Sequence, residues 1–227
     1  MSAKPILPRQ SRSPESDDAR LRQGEKTREL ILEAAAKLLV NSSASGMAMS
    51  QLVKATGVPA SSIYWHFGSK DGVVNAVIDT GVQRWLRQLP EPAVWPDMGE
   101  VGVRTVMQLF IASLKKDSQF IKLLLKVGLE FSEEENDCMQ TVRRARSQTI
   151  DYCVAILLPF LGALPAKQAK AAALRVVRQL MAMADGIIIA RSFEKESSIA
   201  NGMLDGLADI ALALIRNEIA AFQDREP

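Results

Sequence analysis

His66 is the sole histidine among 227 residues, so any Ser–His–Asp or Cys–His nucleophilic site would have to be assembled around it. It stands in the run Tyr64, Trp65, His66, Phe67, where an imidazole among aromatics reads as a structural or phosphate-contacting group rather than a catalyst. A small hydrolase using His66 is the enzyme alternative, and it needs a nucleophile and a carboxylate beside that ring. No HExxH, CxxC, P-loop or GxGxxG spacing occurs, so the sequence points to no catalytic residue, no metal and no cofactor. Cys138 and Cys153 share one predicted helix about 22 Å apart at the helical rise, too far to bridge, and have no metal-ligand spacing. The acidic run Glu133, Glu134, Glu135 is predicted to open a helix, where negative charge suits the N-terminal dipole. Asp185, inside MAMADGIII, needs a partner once buried. A hydrogen bond within a subunit interface is favoured over contact with a ligand.

The residues best suited to recognition lie between Ala48 and Lys70, AMSQLVKATGVPASSIYWHFGSK. Leu52 and Val53 turn inward while Ser50, Gln51 and Lys54 face water. Gly57 suits a sharp turn, and Pro59 suits the first turn of a second helix that begins near Ala60 and stops before Gly68. Two short helices joined in this way match a helix-turn-helix, whose second helix enters a DNA major groove. Ser61 and Ser62 project from its start, where hydroxyls reach bases of either type or phosphates. Tyr64 suits a phosphate or a thymine methyl, and Lys70 is placed for a phosphate beside the free N–H groups of the next helix. Ser50, Gln51, Ala60, Trp65 and His66 complete the predicted contact set. Ile63, Phe67 and one face of Trp65 are assigned to core, and Lys37 and Lys54 to solvated charge. With few basic residues near the groove, specificity relies on shape and apolar contacts as well as hydrogen bonds.

The run from Gly57 to Val77, GVPASSIYWHFGSKDGVVNAV, resembles the DNA-binding signature of TetR-type transcriptional regulators. Gly57 and Val58 open it, and Tyr64, His66, Phe67 and Lys70 stand at its characteristic places. The resemblance covers residues 27–82. Ala48 stands where the family usually has a Thr that caps the second helix and touches phosphate, and Gly72 where an acidic residue is common. The resemblance implies an all-α protein with an N-terminal helix-turn-helix domain and a C-terminal helical domain for ligand binding and dimerisation. It also implies a cavity for a small apolar effector and a homodimer on a palindromic operator, more in keeping with a repressor than an activator.

The elements that would position these residues are helices throughout, with no alternating strand pattern. Residues 1–24 are rich in Ser, Pro and Arg and read as a disordered N-terminal segment. Lys4, Arg9, Arg12, Arg20 and Arg22 would make it a DNA-following arm, and Glu15, Asp17 and Asp18 offset that charge. Residues 25–72 form the helix-turn-helix domain, with a core helix over 25–40. Residues 73–227 form the ligand-binding and dimerisation domain, and a fourth helix over 71–89 links the two. Pro90, Pro92 and Pro96 break regularity after it. Further helices are predicted over 101–116, 120–131, 134–158, 166–193 and 199–222. Net charge is only +2, yet residues 1–70 hold ten Lys/Arg against six Asp/Glu, and the remainder eighteen against twenty. The basic excess therefore lies with the suspected DNA reader. A polar N-terminus and the absence of a span-length apolar run predict a cytoplasmic protein with reduced thiols and no membrane partner.

The helix over 166–193 carries two apolar stripes, one through Leu174, Val177, Met181, Ala184 and Ile188, the other through Val176, Leu180, Met183 and Ile187. A helix apolar on two faces must be covered on both. With Leu204, Ala208, Ala211, Ile215, Ile219 and Phe222 on the last helix, the first stripe would form a C2 four-helix interface. A monomer core is the alternative. Trp85, Met107, Phe110, Phe120, Phe131, Tyr152, Met181 and Met183 are candidate pocket residues, with plain core packing as the alternative for each. A helical adaptor that binds protein through the C-terminal seam is the remaining rival function.

Overall fold

The computed structural model describes residues 14–92, 99–133, 135–193 and 202–224, and the side chains of all of these but 14–17, 19 and 20. Lys4, Arg9, Arg12, Pro96, Glu134 and Ile199, and the side chains of Glu15, Asp17 and Arg20, lie outside the described residues. Nine α-helices of eight residues or more are described: α1 (Pro14–Asn41), α2 (Met49–Thr56), α3 (Ala60–Phe67), α4 (Lys70–Leu86), α5 (Gly99–Lys116), α6 (Ser118–Glu130), α7 (Asp137–Leu157), α8 (Ala166–Ala190) and α9 (Leu207–Gln223). A 3₁₀ turn, Leu158–Leu161, follows α7, and no strand occurs among the described residues.

Local chemistry accounts for several helix ends. Gly57, at φ 69°, closes α2 by donating its N–H to the Val53 carbonyl. Pro59 precedes α3, and the Ser69 hydroxyl caps α4 by accepting the Gly72 N–H at 2.9 Å. A Cβ on Gly72 would lie 2.0 Å from the Phe67 carbonyl oxygen, so the tight α3–α4 turn leaves no room for the acidic residue common in the resembled signature. Three predicted boundaries move. The first helix begins at Pro14, not at residue 25. The acidic run stands before α7, because the Asn136 side chain caps that helix by accepting the Met139 N–H. The last long helix begins at Leu207, after a short helical segment over 202–205.

Two apolar cores share α4. Ile31, Ala35 and Leu39 of α1, Met47, Leu52 of α2 and Ile63 of α3 pack with Val73, Val77 and Ile78 of α4, and Leu124 and Val127 of α6 close that core. Trp85, one turn beyond Val82 on α4, belongs instead to the larger core of α5, α7, α8 and α9. α4 is therefore a single rigid rod embedded in both. Ile63 is wholly buried behind the exposed face of α3. Ile63→Ala is expected to destabilise the fold by about 2–5 kcal/mol through lost burial plus a cavity. Denaturant titration checks this, and a midpoint equal to wild type would show that α3 is not seated on this core.

The predicted dimer stripes are covered inside the single chain. Val177, Ala184, Ile188, Leu204, Ala208, Ala211 and Ile215 are buried, and Leu174, Met181 and Ile219 are half-buried. In the second stripe Val176, Leu180 and Ile187 are buried too, while Met183 is exposed. α8 lies centrally, packed by α6, α7, α9 and the 3₁₀ turn. Two apolar stripes do require two covers, but elements of the same chain supply both. The outward face of α8 carries Ala182, Met183, Gly186 and Ile189.

Candidate nucleic-acid interface and internal cavities

α3 presents Ser61, Tyr64 and Trp65 to solvent, with Tyr64 47% and Trp65 80% exposed. At about 100° per residue these three cluster on the side of the helix away from Ile63. That angle corrects the assignment of one Trp65 face to core. Ser62 and Ala60 are half-buried at the flanks, and Ser50 is exposed at the start of α2. Phe67 is half-buried against the core, with the Arg28 guanidinium of α1 over its ring at 5.5 Å. Arg28 is a cation beside the reader that sequence reasoning did not single out. Its place over Phe67 depends on how α1 packs in the domain, which no local pattern reveals.

Three predicted contact residues carry structural duties. Gln51 accepts the Ala48 N–H at 3.0 Å, supplying one half of a capping box where Ala48 has no acceptor of its own. His66 sits half-buried, edge-on to Trp65 at 4.7 Å between ring centroids and 6.0 Å from Phe67. Lys70 donates to the Ser45 carbonyl at 2.8 Å, which leaves its other two N–H groups for a phosphate.

Ser45 lies in the α1–α2 loop, and α6 holds that loop from the other side. The Glu130 carboxylate accepts the Ala44 and Ser45 N–H groups, each at 2.8 Å. Lys126 donates to the carbonyls of Leu39, Val40 and Ser42 at 3.2, 3.3 and 2.7 Å, a cation on the C-terminal end of α1. Burial works against ionisation of Glu130, yet the hydrogen bonds from Ser45 and Ala44 and the Lys126 charge outweigh it and lower its pKa. A carboxyl that titrates lower in the folded protein than in the unfolded chain adds stability at neutral pH. That contribution fades as pH falls through the depressed folded value. Glu130→Gln should therefore lower stability at pH 7, and the gap to wild type should close on acidification. Paired denaturation curves across pH test it; a gap constant down to strongly acidic pH would remove the linkage.

Two cavities of about 30 Å³ each lie in the larger core, the second reaching Leu124 of the other core. Met107, Cys153 and Leu157 are among the walls of the first; Trp85, Phe120, Arg146, Thr149 and Asp185 are among those of the second. Phe110 and Met181 line both and so form their common wall. Of the predicted pocket residues, Phe131, Tyr152 and Met183 line neither. Phe131 follows α6 and packs on the reader's core, the Tyr152 hydroxyl donates to the Pro90 carbonyl at 3.3 Å, and Met183 is exposed. Burial pushes the Cys153 thiol up to about 12, so it stays protonated and is no nucleophile. Asp185 finds a partner within the chain, an ion pair with Arg146 of α7 at 2.6 Å. Phe120 of α6 lies against Gly81 of α4: a Cβ there would be 2.1 Å from a carbon of the Phe120 ring. A cavity wall thus rests directly on α4.

Among the described residues no group of three His, Cys, Asp or Glu side chains is arranged to hold a metal ion, and no helix is long and apolar enough to cross a membrane. The family model for bacterial regulatory proteins of the tetR family matches residues 31–77, from the buried Ile31 through both short helices into α4. The HTH-type transcriptional regulator SrpR of Pseudomonas putida is 30% identical over 114 residues, 48% of this chain and 51% of SrpR. The chain thus spans about half the length of that relative. A TetR-family regulator from Streptomyces coelicolor superposes with a TM-score of 0.64 at 13% identity, covering 89% of this chain and 90% of that one. Another from Mesorhizobium loti gives 0.63 at 15% identity, covering 84% and 97%. These likenesses establish the fold, and the matched segment falls on the helix-turn-helix whose exposed and buried faces are described above. Residues 31–77 thus match the tetR-family model, and the fold is the one shared by these TetR-family structures.

Proposed function

We propose that the chain is a homodimeric repressor that binds a palindromic operator through α3 and releases it when a small apolar molecule enters the cavities beside α4. The carrying observation is α4 itself, with Lys70 at the reader and Trp85 in a cavity wall. A molecule that fits the cavities differently in two tilts of α4 biases the spacing of two readers, which need to lie about 34 Å apart on one DNA face. The Glu130, Ser45 and Lys70 chain of hydrogen bonds supplies a second link, from α6 to the same end of α4. With the apolar stripes spent on the core, the partner subunit would meet the outward faces of α8 and α9, where Ala182, Met183, Gly186, Ile189 and Ala213 are exposed. Small side chains there let two helices approach closely.

Selection of bound DNA from random sequence, with mass measurement of the free protein, tests the whole reading. A palindromic product and a dimeric mass are expected, and a monomer that retains no DNA would sink it. Lys70→Ala is expected to weaken binding almost equally on all sequences and to make the salt dependence shallower by about one per subunit.

A further inference from the structure

Trp85 is 3% exposed, lines the second cavity, and its indole Nε1–H is buried without a hydrogen-bond partner among the described residues. An orphaned buried N–H is costly, so a native fold keeps one where something else satisfies it. The polar groups lining the cavity bond elsewhere, and none accepts this N–H. The Asp185 carboxylate pairs with Arg146, and the Thr149 hydroxyl donates to the Ala145 carbonyl at 3.0 Å. The remaining lining is apolar, with Phe110, Phe120 and Leu124 among it.

We propose that this cavity takes an uncharged, mainly apolar molecule with one hydrogen-bond-acceptor oxygen, such as an aromatic ketone, which the Trp85 indole N–H engages. The proposal rests on the effector reading given above and supplies its ligand chemistry. Charge balance selects against ions. Arg146 and Asp185 neutralise each other, so a carboxylate would compete with Asp185 for Arg146, and an ammonium with Arg146 for Asp185. Either leaves one half-buried charge without its partner, so both ions should bind more weakly than a neutral ketone. A carbonyl oxygen needs only the free donor. At about 30 Å³ the cavity holds a water or two as it stands. A ring-sized molecule enters by moving the common wall, where half-buried Met181 is the adaptable member. That movement widens the space between Trp85 of α4 and Phe120, which rests on Gly81.

The test uses the full-length protein without DNA and four matched probes: acetophenone, ethylbenzene, benzoate and benzylammonium. In protein with ¹⁵N-labelled tryptophan, acetophenone should shift the Trp85 indole N–H resonance downfield while ethylbenzene should not. Its affinity should fall about tenfold in Trp85→Phe, with ethylbenzene binding both proteins alike. An unshifted indole resonance, equal acetophenone affinity in the variant, or tighter binding of either ion overturns the proposal. The resonance is read in the wild type, so a variant that fails to fold leaves the test intact. Release of DNA by acetophenone is measured separately. Binding that shows the indole shift but leaves DNA bound sinks the effector reading and spares the site. Release without the shift does the reverse.

Discussion

Trp65→Ala is expected to lower operator affinity by roughly 1000-fold while leaving the thermal midpoint within a degree or two of wild type. The ring is 80% exposed on α3, so its removal takes little from the core, and surface changes of this kind alter stability by about 0.5 kcal/mol or less. Truncating a large interface aromatic costs about 2 kcal/mol. A dimer loses it twice, and about 4 kcal/mol corresponds to the stated factor. Tyr64→Ala, with a side chain 47% exposed on the same face, should act in the same direction with a smaller loss. Binding isotherms on the selected operator, with melting curves on the same preparations, provide the check. Unchanged affinity for Trp65→Ala would mean that α3 docks by another face. His66→Ala separates a role in DNA contact from a structural one. Wedged between Trp65 and Phe67, His66 should affect binding through the pose of the Trp65 ring.

Gly81→Val is expected to destabilise the protein by about 3 kcal/mol, the upper range for overpacking a filled interior. Even one added carbon would meet the Phe120 ring at 2.1, 2.4 and 2.9 Å. The smaller change Gly81→Ala should fold, with the ring pushed toward the cavity or α4 pushed away from α6. In either case the reader's position shifts without any effector, so operator affinity falls with the DNA-contacting face untouched. Pairing Gly81→Ala with Phe120→Ala removes the obstruction, and the double variant should regain part of what Gly81→Ala loses. The two substitutions are then strongly non-additive, as side chains in contact should be. Additive losses in stability and DNA affinity would show that the α4–α6 contact does not carry the linkage.

Local physics made much of this protein legible without coordinates. Leu52 and Ile63 at helical spacing, Gly57 at a turn and Pro59 at a helix start define two short helices and the side that must be buried. The exposed side then follows by geometry, and Ser61 and Tyr64 fall on it. Trp65 was half misplaced because aromatic character suggested burial, whereas the helical angle from Ile63 puts it outward. Apolar periodicity was equally sound in requiring α8 to be covered on two faces. It could not say by what, since an apolar stripe is satisfied by any apolar neighbour, and the neighbours proved to be α6, α7 and α9 of the same chain.

The long-range polar pairings were invisible for a related reason. Arg146 meets Asp185 across 39 positions, and Ala44 meets Glu130 across 86. A charged residue carries no mark of its partner until the chain closes. Sequence alone determined that the chain is helical, where its two short helices turn and which face of α3 is exposed, because those depend on neighbours three or four residues away. Only the tertiary structure decided which apolar face is core, which carboxylate holds the α1–α2 loop and which indole is left without an acceptor, because those depend on how distant helices cross.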